Sequence, residues 1–198
     1  MNKGSHISLA HFLVDKMDIA DLHAYKKSFL FGSILPDCLP SFFTTKHTMN
    51  ETFDLLKVEI GKISDNYDKE KGITTYYCRH LGVITHYLAD YFTFPHNPGF
   101  CGTAKEHWNY EKELATVLQS YLEHCESVQF TTINEHLHTV EQISNFIIGM
   151  HEEYIRLVQD IRMDCRFIVM LCYCVLEAIL SLLGANNEIV HSEQIQAA

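Results

Sequence analysis

The amino-acid sequence predicts an all-α protein, a compact multi-helix bundle in which residues 1–198 form a single domain. Three observations carry this: apolar residues recur at helical spacing over most of the chain, no run alternates apolar and polar residues long enough for a strand, and breaker residues separate the periodic segments. With 198 residues, 47% apolar and 20% charged, the chain can bury one sizeable core. Its four prolines and nine glycines are scattered, and no Ser/Gly/Pro-rich stretch or block of like charge marks a linker.

Helices are expected near residues 5–16, 19–31, 50–63, 73–93, 104–124, 132–159 and 161–184. The first is an amphipathic segment that opens around His6. The second runs into SFLFGSIL, which Pro36 interrupts. Thr48, with Glu51 three residues on, reads as a capping box that starts the third helix just after His47. LGVITHYLADYF forms the end of the fourth, stopped by Pro95, and the fifth carries HWNYE in its first turns. The sixth is read from periodicity alone. In the seventh, FIVMLCYCVLEAILSLL is apolar enough to raise a membrane span, but it is short for one and holds Glu177 inside it. It is read as a buried central helix closed by Gly184 and Asn186, and no transmembrane segment is expected. Two loops, near 35–48 and 94–103, bring polar residues to helix ends, where sites are commonly built.

The formal net charge of −10 opposes binding to phosphate backbones, which needs clustered Lys and Arg, so no stable nucleic-acid complex is expected. Divalent cations held by carboxylates would remove part of that charge locally. The start MNKGSHISLAHF lacks the apolar core of a secretory signal; a cytoplasmic location is expected, and export would require a leader already removed. Seven cysteines, an odd number without a CxxC pair, read as free thiols, with Cys172 and Cys174 as small core residues.

Thirteen histidines exceed what a domain of this size needs, and their placement is more telling than their number. His86 and Asp90 stand four apart, so one helix face presents both. His96 follows six residues later, beyond the helix stop, and His107 and Glu111 repeat the four-residue step on a second helix. Upstream lie Asp37, just after a proline, then His47 ten residues on, and His6 near the start. One His-x-x-x-acid pair is usually a surface pair or a satisfied core histidine; two pairs with a histidine between them are a stronger signal. Five imidazoles and three carboxylates are donors suited to zinc, in number enough for more than one ion.

In order and spacing these residues resemble the zinc-dependent phospholipases C of bacteria, a group that includes the clostridial alpha-toxins. HYLADYFTFPH supplies that family's His, Asp and His as His86, Asp90 and His96; HWNYE supplies its His-x-x-x-Glu as His107 and Glu111. Asp37 and His47 match the preceding Asp and His at a shorter separation, and His6 matches an early SHxxx histidine. The resemblance covers roughly residues 5–115. It implies a helical fold of the phospholipase C and S1/P1 nuclease type with two or three zinc ions. One would be held by Asp37, His47, His86 and Asp90, a second by His96, His107 and Glu111, and a third by His6 with Asp90 as a bridge. In the secreted enzymes the third ion also uses the amino group and carbonyl of an N-terminal tryptophan. Here the chain begins with Met1 and its only tryptophan is Trp108, so the third site departs from the family. His11, five residues after His6, falls off the same helix face.

The activity so implied is zinc-dependent hydrolysis of a phosphoester, phospholipids included, by water activated at a di- or trinuclear cluster. Asp37 is both ligand and candidate to orient or deprotonate that water, and turnover is expected to depend on Glu111 as well. Phe42, Phe43, Tyr91, Phe92, Phe94 and Phe100 either line a cleft for a choline headgroup or acyl chains, or pack in the core. His23, His80, His124, His136, His138, His151 and His191 read as solvated or packed side chains. Glu177 needs a partner if buried, either Arg162 or Arg166 or a metal-bound histidine. Two other readings stay open: a nuclease or nucleotidase of the S1/P1 kind, and a helical module that holds metal without catalysis.

Overall fold

The computed structural model describes residues 1–40, 45–65, 67–125, 137–157 and 160–184. Among these the chain forms eight α-helices and no strand: α1 (Lys3–Met17), α2 (Ala20–Ala24), α3 (Lys26–Ile34), α4 (Met49–Asp65), α5 (Thr75–Tyr91), α6 (Ala104–His124), α7 (Val140–Arg156) and α8 (Ile161–Leu183). Short 3-10 turns at Pro36–Cys38 and Phe94–His96 follow α3 and α5. The expected all-α class is the observed one.

One expected helix is divided. The helix expected over 19–31 is divided at Tyr25, whose backbone (φ −109°, ψ 23°) leaves the helical region between α2 and α3. Of the helix expected over 132–159, residues 132–136, 158 and 159 lie outside the described residues; α7 begins at Val140, where the Thr139 side chain accepts the Gln142 N–H at 3.1 Å and caps it. Phe42, Phe43, Asn66, His136, Asn186 and His191 lie outside the described residues.

α5 and α8 form the centre. From Leu81 to Tyr91 every residue of α5 but Tyr87 is buried, because α3, α4, α8 and α1 pack around it. α8 packs on α1, α4, α5, α6 and α7. It is long and apolar enough to cross a membrane by composition, yet 67% of its most apolar stretch is buried inside the fold, the packing expected of a core helix. Its last turn ends on Gly184, which adopts the left-handed conformation (φ 74°) that glycine takes at low cost.

Three local devices aim the polar ends of these helices at one another. Asn2 caps α1 by accepting the Ser5 N–H at 2.9 Å, while its own amide donates to the Glu111 carbonyl at 3.3 Å and so pins the chain start to α6. Thr103 and Glu106 form a capping box that fixes where α6 begins, and hence where His107 and Glu111 stand. α4 starts at the expected place, but Glu51 accepts the Lys46 N–H at 2.9 Å rather than closing back onto Thr48. α3 and α5 meet backbone to backbone: a Cβ on Gly82 would lie 2.2 Å from the Phe29 carbonyl oxygen.

Candidate metal centre

α5 presents His86 and Asp90 from its final turns, exposed by 0% and 1%. The Nδ1–H of His86 donates to the Ser33 carbonyl at 2.9 Å, and a carbonyl can only accept. That bond fixes the tautomer, leaving the Nε2 lone pair directed at the cluster. His86 Nε2 lies 2.9 Å from His47 Nδ1, 3.3 Å from Asp90 Oδ2 and 3.6 Å from Asp37 Oδ1. Asp37 comes from the 3-10 turn after α3 and also stands 3.6 Å from His47 Nδ1. His96, on the turn after α5, follows the same logic as His86: its Nδ1–H donates to the His47 carbonyl at 3.1 Å. Its Nε2 then lies 3.5 Å from Glu111 Oε1, which accepts from His107 Nε2 at 3.0 Å.

The structure thus brings all eight sequence-expected donors together. Their atoms fall into three triads, each with donors within 4.8 Å of one another: His6, Asp37 and His86; His47, His86 and Asp90, which shares His86 with the first; and His96, His107 and Glu111. His6 sits beside Asp37 and His86, with Nε2 also 3.3 Å from Asp90 Oδ1 and its ring stacked on His86 at 4.0 Å between centroids. His11 is exposed and takes no part, and Trp108 is 62% exposed on the surface.

Two observations test whether these residues suit a metal ion. His6 is fully buried, yet neither ring nitrogen makes a hydrogen bond; the Asp90 oxygen is near enough, but not in line with the ring N–H. An unsatisfied buried imidazole is costly and rare, and a ligand bond is what such a nitrogen lacks. The second observation was not legible in the sequence. The Met1 ammonium is buried at the same point, ion-paired to Asp90 and 3.3 Å from Glu111 Oε1. Two carboxylates already converge on a cation here. Nitrogen and carboxylate oxygen at these separations are the donor chemistry of zinc.

The electrostatics agree. Burial alone would raise the Asp90 carboxyl, but the Met1 ammonium paired with it outweighs that and holds it well below the usual carboxylate range. Glu111 is likewise held low against burial, chiefly by the hydrogen bond from His107. Asp37 goes the other way: burial, with the nearby Asp90 charge, outweighs His86 and raises it. Burial and His86 push His6 down to about 3, so it stays a neutral donor.

A cavity of about 1070 Å³ opens over the cluster. Asp37, His47, Asp90, His96, His107 and Glu111 reach it, and Met1 joins them. Of the described aromatics expected to line a cleft, Phe100 does. Tyr91 and Phe92 are fully buried core residues, and Phe94 packs between Phe100 and Tyr110. His151, read from sequence as packed or solvated, stands on the cavity wall and donates to Asn97 Oδ1 at 2.7 Å. His80 pairs with Glu59, His23 with Asp18, and His124 with the Ser120 carbonyl, all away from the cavity. All seven cysteines are free, five of them buried, and burial raises the Cys172 and Cys174 thiols.

A family model described as zinc dependent phospholipase C matches residues 5–161, a span that contains all eight donors and excludes Met1 and most of α8. No curated protein and no solved structure matches the chain.

Proposed function

The chain belongs to the zinc-dependent phospholipase C family, and from that membership we propose that it hydrolyses phosphodiesters at a cluster of two or three zinc ions. Asp37, His47, His86 and Asp90 would hold one ion, His96, His107 and Glu111 another, and His6 with Asp90 a third, beside which the Met1 amine lies. Bound zinc supplies Lewis acidity toward phosphoryl oxygens and lowers the pKa of a coordinated water. The observation that carries the reading is the convergence of eight donors beneath a single cavity, six of them on its wall and one of the two behind them an orphaned buried imidazole.

The chain's own groups divide the remaining work. His6 and His86 are wholly buried and cannot touch substrate, so their part is confined to ligation. Asp37 and Glu111 reach the cavity. Asp37, the carboxylate that burial keeps most basic of the three, is placed to accept a proton from the attacking water. The water oxygen then bonds to phosphorus, the bond from phosphorus to the alcohol oxygen breaks, and that oxygen takes a proton from solvent as the alcohol leaves, while Asp37 later returns its proton to solvent. Met1, Phe100 and Ile155 add apolar surface to the cavity for the alcohol portion.

The test is a zinc-loaded sample assayed on p-nitrophenyl phosphorylcholine, bis(p-nitrophenyl) phosphate and single-stranded DNA. Turnover that chelator abolishes and zinc restores, and that Glu111→Ala eliminates, supports the reading. Preferred cleavage of DNA would move it to the S1/P1 nuclease alternative. A folded, zinc-replete chain inactive on every phosphoester would leave a metal-holding module.

A further inference from the structure

We propose that Asp164 is a positioning residue that holds together the two chain segments carrying His96, His107 and Glu111; this rests on the zinc reading above. Asp164 lies in the first turn of α8, is 0% exposed, and falls beyond the residues that match the family model. Three donors converge on it. Its Oδ2 accepts the Phe94 N–H at 2.8 Å and the Tyr110 hydroxyl at 2.8 Å, and its Oδ1 accepts the Tyr154 hydroxyl at 2.7 Å.

The identities of the first two donors give the inference its content. Phe94 opens the 3-10 turn whose last residue is His96, and Tyr110 directly precedes Glu111, three residues after His107. One carboxylate oxygen therefore ties the turn after α5 to the first turns of α6. These are the two pieces of backbone whose separation sets the His96–His107–Glu111 triad. The turn needs such a tie because His96 has left the helix that positions His86 and Asp90. Its ring is anchored at Nδ1 by the His47 carbonyl, and its backbone by Asp164 through Phe94. A core position filled for packing alone would be met as well by an apolar side chain, since a buried carboxylate is tolerated only with its donors in place. The triads around His86 depend instead on Ser33 and on α5 itself, so Asp164 bears on one part of the cluster and not on the rest.

The variants are Asp164→Ala, Asp164→Asn, Tyr110→Phe and Tyr154→Phe. Each is loaded with zinc and titrated with a competing chelator, with the imidazole ring resonances followed by NMR. In Asp164→Ala the ion at His96, His107 and Glu111 should bind about 10- to 100-fold more weakly, the usual effect of losing outer support. The rings of His96 and His107 should shift to their zinc-free positions first, while His47 and His86 keep theirs. Asp164→Asn, which can still accept from Phe94, should restore most of the affinity. Tyr154→Phe touches neither segment and should lower thermal stability without changing any zinc affinity. If Asp164→Ala does not fold, Tyr110→Phe carries the same expectation. Uniform weakening of every ion in step with stability, or no change at any ion in Tyr110→Phe, overturns the proposal. A wild-type chain that binds no zinc would instead remove the reading on which it rests.

Discussion

Replacing Gly82 with alanine separates the structure's account from the sequence's most directly. Helix propensity alone says that Gly→Ala inside α5 stabilises by about 1 kcal/mol. The packing says the reverse. An added Cβ would lie 2.2 Å from the Phe29 carbonyl oxygen and 2.7 Å from the Ser33 nitrogen, where ordinary contact begins at 3.4 Å. Both obstacles are backbone, so α3 must retreat from α5 by about 1 Å, an overpacking strain of about 1–3 kcal/mol. The same retreat carries the Ser33 carbonyl away from His86 Nδ1, now 2.9 Å distant, and forfeits a hydrogen bond of about 1 kcal/mol. Net destabilisation of about 2 kcal/mol is expected, a fall of roughly 4–8 °C in melting temperature for a chain of this size. Gly149→Ala is the internal control: it lies on the exposed side of α7, nothing stands within 4 Å of its Cβ, and it should gain about 0.5–1 kcal/mol. Thermal unfolding followed by circular dichroism, with and without zinc, reads both. A Gly82→Ala protein that melts at or above wild type would refute the close approach of α3 and α5.

Three further outcomes follow from the same geometry. Thr103→Ala removes half of the capping box of α6 and should destabilise the chain by about 1 kcal/mol in a urea titration, with a loss of zinc affinity that Thr103→Ser does not show. Glu111→Ala should release one zinc per chain in elemental analysis while the fold persists, because Glu111 enters only the triad with His96 and His107; loss of all zinc would contradict that division. Burial raises the Asp164 carboxyl from 3.8 to about 6, so the folded metal-free chain binds this proton more tightly than the unfolded one. The favourable contribution is complete below about pH 4 and is lost as pH rises through 6, by about 3 kcal/mol. Denaturant unfolding at pH 4.5 to 7 should show this slope in wild type relative to Asp164→Asn, and parallel profiles would show that the carboxyl is not raised.

Much of the site could be read from the sequence because its donors sit at helical steps. His86 with Asp90 and His107 with Glu111 need only the periodicity of α5 and α6 to share a face. What could not be read depends on tertiary approach. Nothing in the spacing places the Met1 amine at Asp90, since that requires the capped start of α1 to dock on α6 through Asn2. The Gly32 and Gly82 contact between α3 and α5 likewise joins segments fifty residues apart. His151 reaches the cavity only through the packing of α7, and its hydrogen bond to Asn97 has no local signature. In α8 the sequence drew attention to Glu177, in the middle of the apolar run, whereas the fully buried acid is Asp164 in the first turn. The two lie about 140° apart around the helix axis, so one faces the core where the other does not.

The central claim is that these eight residues assemble a zinc cluster, and zinc stoichiometry tests it most directly. Untagged protein, dialysed against metal-free buffer and measured by elemental analysis, should retain two or three zinc ions per chain and recover them after chelation when zinc is returned. Less than one zinc per chain, with no recovery on adding metal, would contradict the account.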